Sequence, residues 1–465
     1  MTNLKKHLFL YLIFSVIGSL VSQDIEGDWY GKLEAPQLNI VFHIEKKNGT
    51  YHGTLDSPDQ GSFGISVDTV KFDGLNIEII MSKLNASYRA TLADSTFTGN
   101  FGQNGFKIPL KLSREKPKDK KRTTAQEPIR PFPYSEEEVM FENGDVTLSG
   151  TFTKPKNSKT YPVVILISGS GPQDRDEALL GHKPFLVLSD FLTRKGIAVL
   201  RYDDRGFGKS TGNFSEATSA DFALDVESAT NYLISRDDID KNHIGLIGHS
   251  EGGLIAPMVA SRNKNIDFII LMAGTGIRGD SLLLLQQELI GKSIGMTNAQ
   301  LRASNKINKG AFSIIVENKD KNEVDAELTP YLKNTLSSIP DAELPTGISK
   351  DSSFIKTQVN ILNNPWMRYF LSYNPATALE KVTCPVLAIN GSKDLQVPAK
   401  ENLSAIENAL QKGGNKNITL KEFPGLNHMF QESETGSPTE YAQIEQTISP
   451  VVLEEIYNWI REQIN

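Results

Sequence analysis

The chain has 465 residues, of which 39% are hydrophobic and 23% are charged, and its formal net charge is −7. Most domains contain ~100–200 residues, so this length indicates at least two separately packed domains, and the composition excludes a largely disordered chain. The negative charge disfavours nucleic acid as a partner, because phosphate binding needs clustered lysine and arginine.

The N-terminus has the pattern of a secretory signal peptide. Lys5 and Lys6 precede an apolar run at 8–20, and Ser22 is a small residue next to the predicted cleavage point. The apolar run is shorter than the ~20 residues that span a bilayer, which disfavours the alternative of a permanent anchor. We therefore predict a cleaved signal peptide at residues 1–22, a periplasmic or secreted location, and no stable membrane insertion of the mature protein.

Residues 24–112 have the pattern of a small antiparallel β domain. Segments such as 38–44 and 75–80 alternate apolar and polar residues with the period of half-buried strands. We predict a barrel or a sandwich that its own side chains fill, and a charged, proline-bearing linker at 113–133. Residue pairs typical of tight turns lie between the strands: Asn48-Gly49, Asp73-Gly74 and Asn104-Gly105.

After the linker, short apolar strands alternate with helical segments, which indicates an α/β domain with a mainly parallel sheet. The alternation stops between the predicted strands at 268–273 and 386–390. We interpret residues 277–379, which carry helix-like segments, as a helical cap. This cap is inserted into a sheet domain formed by residues 139–276 and 380–465.

A glycine-flanked serine is the predicted nucleophile. Gly248-His-Ser-Glu-Gly252 follows a predicted strand at 244–247 and precedes a helical segment, which is the setting of a strained strand-to-helix turn that exposes Ser250. The alternative is a serine that caps the helix within an ordinary glycine-rich turn. A serine hydroxyl is a poor nucleophile until a base removes its proton and a third group orients that base.

The acid and the base are expected after later strands, in that order. Asp394 follows the predicted strand at 386–390, and His428 follows the strand-like run at 418–423. Both positions lie where the carboxyl ends of parallel strands form ligand sites. Asp280 competes with Asp394 as the acid, because some members of this fold place the acid after the preceding strand.

Other histidines compete with His428 as the base. His249 adjoins the nucleophile, but a neighbour in such a turn points its side chain elsewhere, so we interpret it as a packed structural residue. We predict that His428 is the base. The rivals within the α/β domain are His182, His243 and His249.

Acyl transfer also needs N–H donors for the developing oxyanion. One is expected from Glu251, the residue after the nucleophile, and another from the glycine turn at 168–171, which follows a predicted strand. We predict the Ser170 N–H for the second position, with Gly169 and Gly171 as alternatives. The competing interpretation is an ordinary glycine turn.

Five blocks of sequence together carry a family resemblance. They resemble a family of capped bacterial α/β-hydrolases that includes carboxylesterases and serine aminopeptidase-like proteins, over about residues 139–465. The resemblance implies Ser250, Asp394 and His428 as a catalytic triad and ester hydrolysis as the commonest activity. Ser168 departs from many lipases and esterases, which have histidine at the start of this loop. The blocks are Ser168-Gly-Ser-Gly-Pro-Gln-Asp-Arg-Asp176, Arg201-Tyr-Asp-Asp-Arg-Gly-Phe-Gly-Lys-Ser-Thr-Gly212, Gly248-His-Ser-Glu-Gly252, Gly391-Ser-Lys-Asp-Leu-Gln396 and Gly425-Leu-Asn-His428.

No cofactor and no metal are predicted. Residues 206–210 resemble the end of a phosphate loop, but that motif requires a glycine where this chain has Asp203, which disfavours ATP binding. We interpret Asp203, Asp204 and Arg205 as a buried or half-buried polar turn. Cys384 is the single cysteine, so the chain contains neither an intramolecular disulfide nor a thiolate zinc cage.

The sequence therefore predicts a serine hydrolase that cleaves a small-molecule carboxylic ester, and it predicts no particular oligomeric state. One alternative is a peptidase that acts on short peptides from one end. A cap carboxylate would then bind the α-amino group, and the four residues considered are Glu288, Glu317, Glu323 and Glu327. Another alternative is a glycan- or lipid-binding protein that retains the hydrolase scaffold.

Overall fold

The computed structural model describes residues 24–464, except for 35–36, 59–61, 82–83, 85, 104–105, 117–123, 157–158 and 319. The predicted signal peptide, the Asn104-Gly105 turn and the centre of the predicted linker lie outside the described residues. Among the helices within these described ranges, none combines the length and the apolar character that a bilayer-spanning segment requires.

The N-terminal domain is an antiparallel barrel. Its sheet has the order β2-β1-β9-β8-β7-β6-β5-β3, and the pairing of β2 with β3 closes the ring of eight strands, while β4 pairs with β3 alone. Closure leaves no long unpaired edge in the ring. The strands are β1 (Gly27–Glu34), β2 (Gln37–Lys47), β3 (Thr50–Ser57), β4 (Ser62–Ser66), β5 (Thr69–Phe72), β6 (Asn76–Met81), β7 (Ala86–Ala93), β8 (Thr96–Gln103) and β9 (Phe106–Ser113).

Aromatic side chains fill the barrel. The rings of Trp29 and Phe97 lie 4.5 Å apart, and those of Phe42 and Tyr88 lie 5.8 Å apart. All four side chains are buried in one apolar cluster. The barrel therefore has a packed interior, as expected for a small eight-stranded ring.

The tight turns between the strands have two different geometries. Asn48 and Gly49 both have positive φ, 52° and 81°, as a primed hairpin turn between β2 and β3 requires. At the next predicted turn, Asp73 Oδ1 accepts hydrogen bonds from the N–H groups of Leu75 and Asn76 at 2.9 and 2.6 Å. This second turn is therefore closed by an aspartate side chain.

The last part of the predicted linker packs against the C-terminal domain. Gln126 Nε2 donates to the Ile448 carbonyl at 2.7 Å, and Gln126 Oε1 accepts from the Thr447 N–H at 2.7 Å. The buried Thr124 bonds to the Thr447 hydroxyl at 2.8 Å. These contacts satisfy buried backbone groups of residues 447–448, so the chain after the undescribed segment is held against the domain.

The C-terminal domain has the α/β-hydrolase fold. Its eight-stranded sheet has the order β10-β11-β13-β12-β14-β15-β16-β17, in which β11 is antiparallel to both neighbours and the six strands from β13 to β17 are parallel. The strands are β10 (Ser135–Asn143), β11 (Val146–Lys154), β12 (Tyr161–Ile167), β13 (Ala198–Tyr202), β14 (Ile239–His249), β15 (Phe268–Met272), β16 (Val386–Gly391) and β17 (Ile418–Phe423).

Helices cover both faces of this sheet. Val226, Ile255 and Ile406 belong to one buried apolar cluster, and Leu188 and Ile456 belong to a second. The central strands are buried on both sides, which explains why they read as unbroken apolar runs. The helices are α1 (Pro184–Arg194), α2 (Ser219–Ser235), α3 (Glu251–Ala260), α10 (Ala399–Lys412) and α11 (Pro450–Gln463).

The predicted cap is helical and lies between β15 and β16. It has its own apolar core, which includes Ile307 and Leu328. A smaller cluster, in which Leu282 and Phe370 of the cap contact Leu254 and Val397, joins the cap to the sheet domain. The cap helices are α4 (Gly279–Ser293), α5 (Asn298–Glu317), α6 (Lys321–Ser337), α7 (Ser352–Leu362), α8 (Pro365–Ser372) and α9 (Ala376–Leu379).

Cys384 lies just before β16 and packs against the sheet core. Burial raises the pKa of its thiol from the ordinary 9.0 to about 12. Because the thiolate is the nucleophile, we expect alkylation by iodoacetamide at pH 8 to be about 10³-fold slower in the folded protein than in urea. Mass spectrometry measures both rates at this single cysteine. Equal rates in the two states would contradict the raised pKa.

The same pKa shift has a consequence for stability. The folded state favours the neutral thiol, so this contribution to the free energy of unfolding is fully present below pH 9.0 and is lost as the pH rises towards 12. A Cys384→Ala variant lacks the titrating group. Its stability should therefore fall less steeply over that pH interval, which urea unfolding of the two proteins measures.

Candidate active site

Ser250 lies in a strained turn between β14 and α3. Its φ of 54° and ψ of −114° fall in a region that residues with a side chain rarely adopt. The residue stands at the N-cap position of α3, yet its side chain makes no cap hydrogen bond. The hydroxyl is therefore not used to cap the helix, which was the alternative interpretation of this serine.

The two flanking glycines allow the strand and the helix to approach each other. A Cβ atom on Gly248 would lie 2.0 Å from the Gly252 carbonyl oxygen, and one on Gly252 would lie 2.1 Å from the Ile167 carbonyl oxygen. Backbone atoms cannot yield such space, so both positions require glycine. The G-x-S-x-G spacing is thus a packing requirement of this turn.

Asp394 and His428 form a buried pair at the carboxyl edge of the sheet. His428 Nδ1 lies 2.8 Å from Asp394 Oδ2, and the two residues are 5% and 3% exposed. Asp394 Oδ1 accepts from the N–H groups of Gln396 and Val397, each at 2.8 Å. With both carboxylate oxygens used in this way, Nδ1 of the neutral imidazole carries the proton and Nε2 carries a lone pair.

The loops that carry this pair are joined to each other. The Lys393 N–H donates to the Leu426 carbonyl at 2.9 Å. Asn427 is fully buried, and its Oδ1 accepts from the N–H groups of Met429 and Gln431 at 3.0 and 2.9 Å. The turn around His428 is therefore closed by the side chain of the preceding residue.

The structure places His428 beside the turn that contains Ser250. The imidazole rings of His428 and His249 have centroids 4.9 Å apart, and His249 Nε2 lies 3.1 Å from the His428 carbonyl oxygen. Asp280 lies elsewhere, at the start of α4, and its Oδ1 accepts from Arg278 Nε at 2.8 Å. Of the two acids considered from sequence, the one bonded to His428 is Asp394.

The rival histidines make other contacts. His182 Nε2 lies 3.1 Å from the Tyr441 carbonyl oxygen, and the whole residue is buried. His243 Nδ1 lies 2.8 Å from Asp240 Oδ2 near the domain surface. His249 is packed and buried, as the sequence predicts, but it also contacts Glu177.

The glycine turn at 168–171 reaches the nucleophile. A Cβ atom on Gly169 would lie 3.3 Å from the Ser250 Cβ atom. The Gly169 N–H donates to Glu177 Oε1 at 2.7 Å, so it is not available to an oxyanion. Ser170 is exposed at this turn. Of the donors considered from sequence, Ser170 and Gly171 therefore remain.

A polar turn after β13 supports the 168–171 loop. Asp204 accepts from the Ser168 hydroxyl at 2.7 Å and from the Gln173 N–H at 2.9 Å. Asp203 accepts from Arg175 Nε at 2.9 Å. Burial raises the pKa of Asp204 well above its ordinary value. The interpretation of residues 203–205 as a buried or half-buried polar turn is confirmed. This turn holds the 168–171 loop beside Ser250 through the hydrogen bonds of Asp204.

The Glu251 side chain connects the nucleophile turn to the cap, which the sequence did not reveal. Its Oε1 accepts from the Ser219 hydroxyl at 2.6 Å and from Trp366 Nε1, on α8 of the cap, at 2.8 Å. The carboxyl group is buried, and burial raises its pKa. Trp366 is 115 residues from Glu251 in the chain, so no local pattern links them.

An open cavity of about 1220 Å³ lies on another part of the domain surface. It is lined by both acidic and basic side chains, and none of Ser250, Asp394 and His428 lines it. Arg175 and Arg201, which line this cavity, already pair with Asp203 and Asp176. The charges of these two arginines are therefore balanced by carboxylates of the protein itself.

Part of the chain matches a known protein family. Residues 226–433 match the family described as BAAT / acyl-CoA thioester hydrolase, C-terminal. This range contains Ser250, Asp394 and His428. The match supports a hydrolase. A curated relative, esterase EstD of Thermotoga maritima, is 27% identical over 332 residues, which cover 69% of this chain and 68% of EstD.

Solved esterase structures also align with the chain. Esterase Pf2001 of Pyrococcus furiosus is 16% identical, covers 71% of this chain and 94% of its own, and gives a TM-score of 0.42. Est1E from Butyrivibrio proteoclasticus is 17% identical, covers 70% of this chain and 98% of its own, and gives a TM-score of 0.40.

Proposed function

We propose that the protein is a serine hydrolase that cleaves carboxylic esters through an acyl-enzyme intermediate. The observation that carries this proposal is the buried Asp394–His428 pair, which leaves Nε2 of the imidazole available and packs against His249 in the turn that contains the strained, uncapped Ser250. An imidazole that is fixed in this tautomer is the general base that a serine nucleophile needs.

In the proposed reaction, Ser250 Oγ attacks the carbonyl carbon of the ester while His428 Nε2 takes the hydroxyl proton. Asp394 stabilises the imidazolium that forms and keeps the ring in place. Collapse of the tetrahedral intermediate breaks the bond to the alcohol oxygen, which receives the proton from Nε2. Water then loses a proton to His428, attacks the acyl-enzyme and releases the carboxylic acid.

The oxyanion of the tetrahedral intermediate needs preorganised donors. The Glu251 N–H lies in the first turn of α3, where backbone N–H groups lack intrahelical acceptors. We propose this group and the Ser170 N–H as the two donors. The partial positive charge at the N-terminus of α3 also favours negative charge at this position.

The cap supports an ester substrate over a peptide. A peptidase acting from one end of its substrate needs a carboxylate in the site for the α-amino group. Glu317, Glu323 and Glu327 are exposed, and Glu288 is 47% exposed and pairs with Lys292. These four carboxylates therefore give no support to a binding site for an α-amino group.

Thioester hydrolysis is the second candidate, and the matched family description favours it. The proposed acyl-enzyme chemistry is the same for a thiol leaving group. The glycan- or lipid-binding alternative has less support, since aromatic side chains fill the barrel interior.

Labelling and turnover test the proposal together. A fluorophosphonate should modify Ser250, which mass spectrometry locates, and abolish activity. Nitrophenyl esters of increasing chain length, acyl-CoA thioesters and aminoacyl anilides should then be compared by kcat/KM. We expect the highest value for an ester. Labelling of another serine would contradict the assignment of Ser250 as the nucleophile. A higher kcat/KM for anilides or thioesters than for esters would contradict the proposal that the substrate is a carboxylic ester.

A further inference from the structure

Glu177 is a buried carboxylate that the proposed reaction does not use. It is 4% exposed and has a positive φ of 51°, which is rare for a residue with a side chain. Its Oε1 accepts from the Gly169 N–H at 2.7 Å and lies 2.9 Å from His249 Nδ1. One carboxylate oxygen therefore contacts both the 168–171 loop and the residue that precedes Ser250.

His249 extends this connection to the base. Its Nε2 lies 3.1 Å from the His428 carbonyl oxygen, and its ring packs against the His428 ring. A carbonyl oxygen only accepts hydrogen bonds, so Nε2 carries a proton. Three segments around the nucleophile thus meet at one buried pair: the 168–171 loop, the turn at Ser250 and the loop of His428.

The pair holds a proton between its two members. Burial acts to lower the pKa of His249, but the charge and hydrogen bond of Glu177, together with the His428 carbonyl and the charge of Asp394, outweigh burial and raise that pKa. The atoms facing its two ring nitrogens, Glu177 Oε1 and the His428 carbonyl oxygen, are the acceptors that an imidazole donating from both nitrogens needs. Charge-assisted hydrogen bonds of this kind are stronger than neutral ones and hold their partners in one geometry.

We propose that Glu177 and His249 form a positioning pair that holds the oxyanion loop and His428 around Ser250. This inference rests on the proposed function. The pair touches no reacting atom. It acts by fixing the Gly169 N–H, which orients the next peptide with the Ser170 N–H, and by fixing the backbone of His428. Donors must lie 2.7–3.1 Å from the developing oxyanion, so a small displacement of this loop weakens catalysis.

A change at Glu177 should weaken transition-state binding more than substrate binding. We expect Glu177→Gln to lower kcat about 10-fold and Glu177→Ala about 10²-fold, with little change in KM. An aryl trifluoromethyl ketone adds to the nucleophilic serine and places an oxyanion in the same hole. Its inhibition constant should rise by the same factors as kcat falls. A purely structural role would lower the amount of folded enzyme and leave that constant unchanged.

A double-variant cycle tests whether the two residues act as a unit. His249→Ala alone and His249→Ala combined with Glu177→Ala should each lower kcat about 10²-fold, because either change breaks the same connection. Glu454→Gln is the matched control. This carboxylate on α11 is 51% exposed and pairs with Lys195, which among the described residues has no contact with the 168–171 loop or its supporting turn, so the change should leave kcat and the inhibition constant unaltered.

The outcomes separate this inference from the proposed function. Circular dichroism first establishes that each variant is folded. If Glu177→Ala does not fold, the kinetic and inhibition measurements on the isosteric Glu177→Gln decide the question. If the fluorophosphonate does not modify Ser250 in the unaltered protein, the proposed function fails. If Ser250 is modified but the Glu177 variants retain kcat and ketone affinity, or the losses multiply in the double variant, the positioning pair is wrong.

Discussion

Replacement of Ser250 by alanine is expected to lower kcat for a nitrophenyl ester by about 10⁶, because no nucleophile then reaches the carbonyl carbon. The substitution also removes a hydroxyl that makes no cap hydrogen bond, so the fold should survive it. Steady-state kinetics at saturating ester measures the loss, and circular dichroism establishes that the variant is folded.

Ser261→Ala provides a matched control for that change. Ser261 follows α3, at the end of the helix opposite Ser250, and its hydroxyl donates to the Met258 carbonyl at 3.0 Å. Removal of this hydroxyl should leave kcat unchanged. Substantial activity in a folded Ser250→Ala variant would show that another residue attacks the ester, and the proposed mechanism would then be abandoned.

Replacement of Asp394 by asparagine is expected to lower kcat by about 10⁴. The asparagine amide keeps the size of the carboxylate and can donate to His428 Nδ1. The imidazole proton would then move to Nε2, where a lone pair is needed to accept the proton of Ser250. The measurement is kcat at saturating ester, with circular dichroism showing that the fold is intact.

Asp280→Asn distinguishes the two acids considered for this role. Asp280 pairs with Arg278 at the start of the cap. Burial acts to raise its pKa, but the hydrogen bonds of Arg278 and Ser281 and the charge of Arg278 together outweigh burial and lower that pKa. We expect a small effect on kcat, since Asp280 does not bond to His428. A large loss in the Asp280 variant, together with an active Asp394 variant, would reverse the assignment.

Much of the fold was predictable because its signals are local. The strand at 38–44 is visible as alternating polarity, and the Asn48-Gly49 turn as a residue pair that tolerates positive φ. The parallel strands of the α/β domain appear as apolar runs because both of their faces are covered. The cap at 277–379 was recognisable because the strand pattern stops there.

The nucleophile turn was also predictable from neighbouring residues. Gly248 and Gly252 are required by contacts within the strand, the turn and the helix that the motif itself specifies. The order of Ser250, Asp394 and His428 along the chain follows from the order of the strands that carry them. Each of these inferences needs only sequence spacing and a general rule of strand-to-helix turns.

The remaining features depend on contacts between residues far apart in the chain. The choice between Asp394 and Asp280 required the hydrogen bond to His428, and closure of the barrel required the pairing of β2 with β3. Glu177 lies 72 residues from His249, and its bond to Gly169 removes one of the two alternatives to Ser170 as an oxyanion donor. Which of these distant residues meet is decided by the packing of the whole domain. A local hydrophobic period indicates the buried face of one element but does not specify its partners far along the chain.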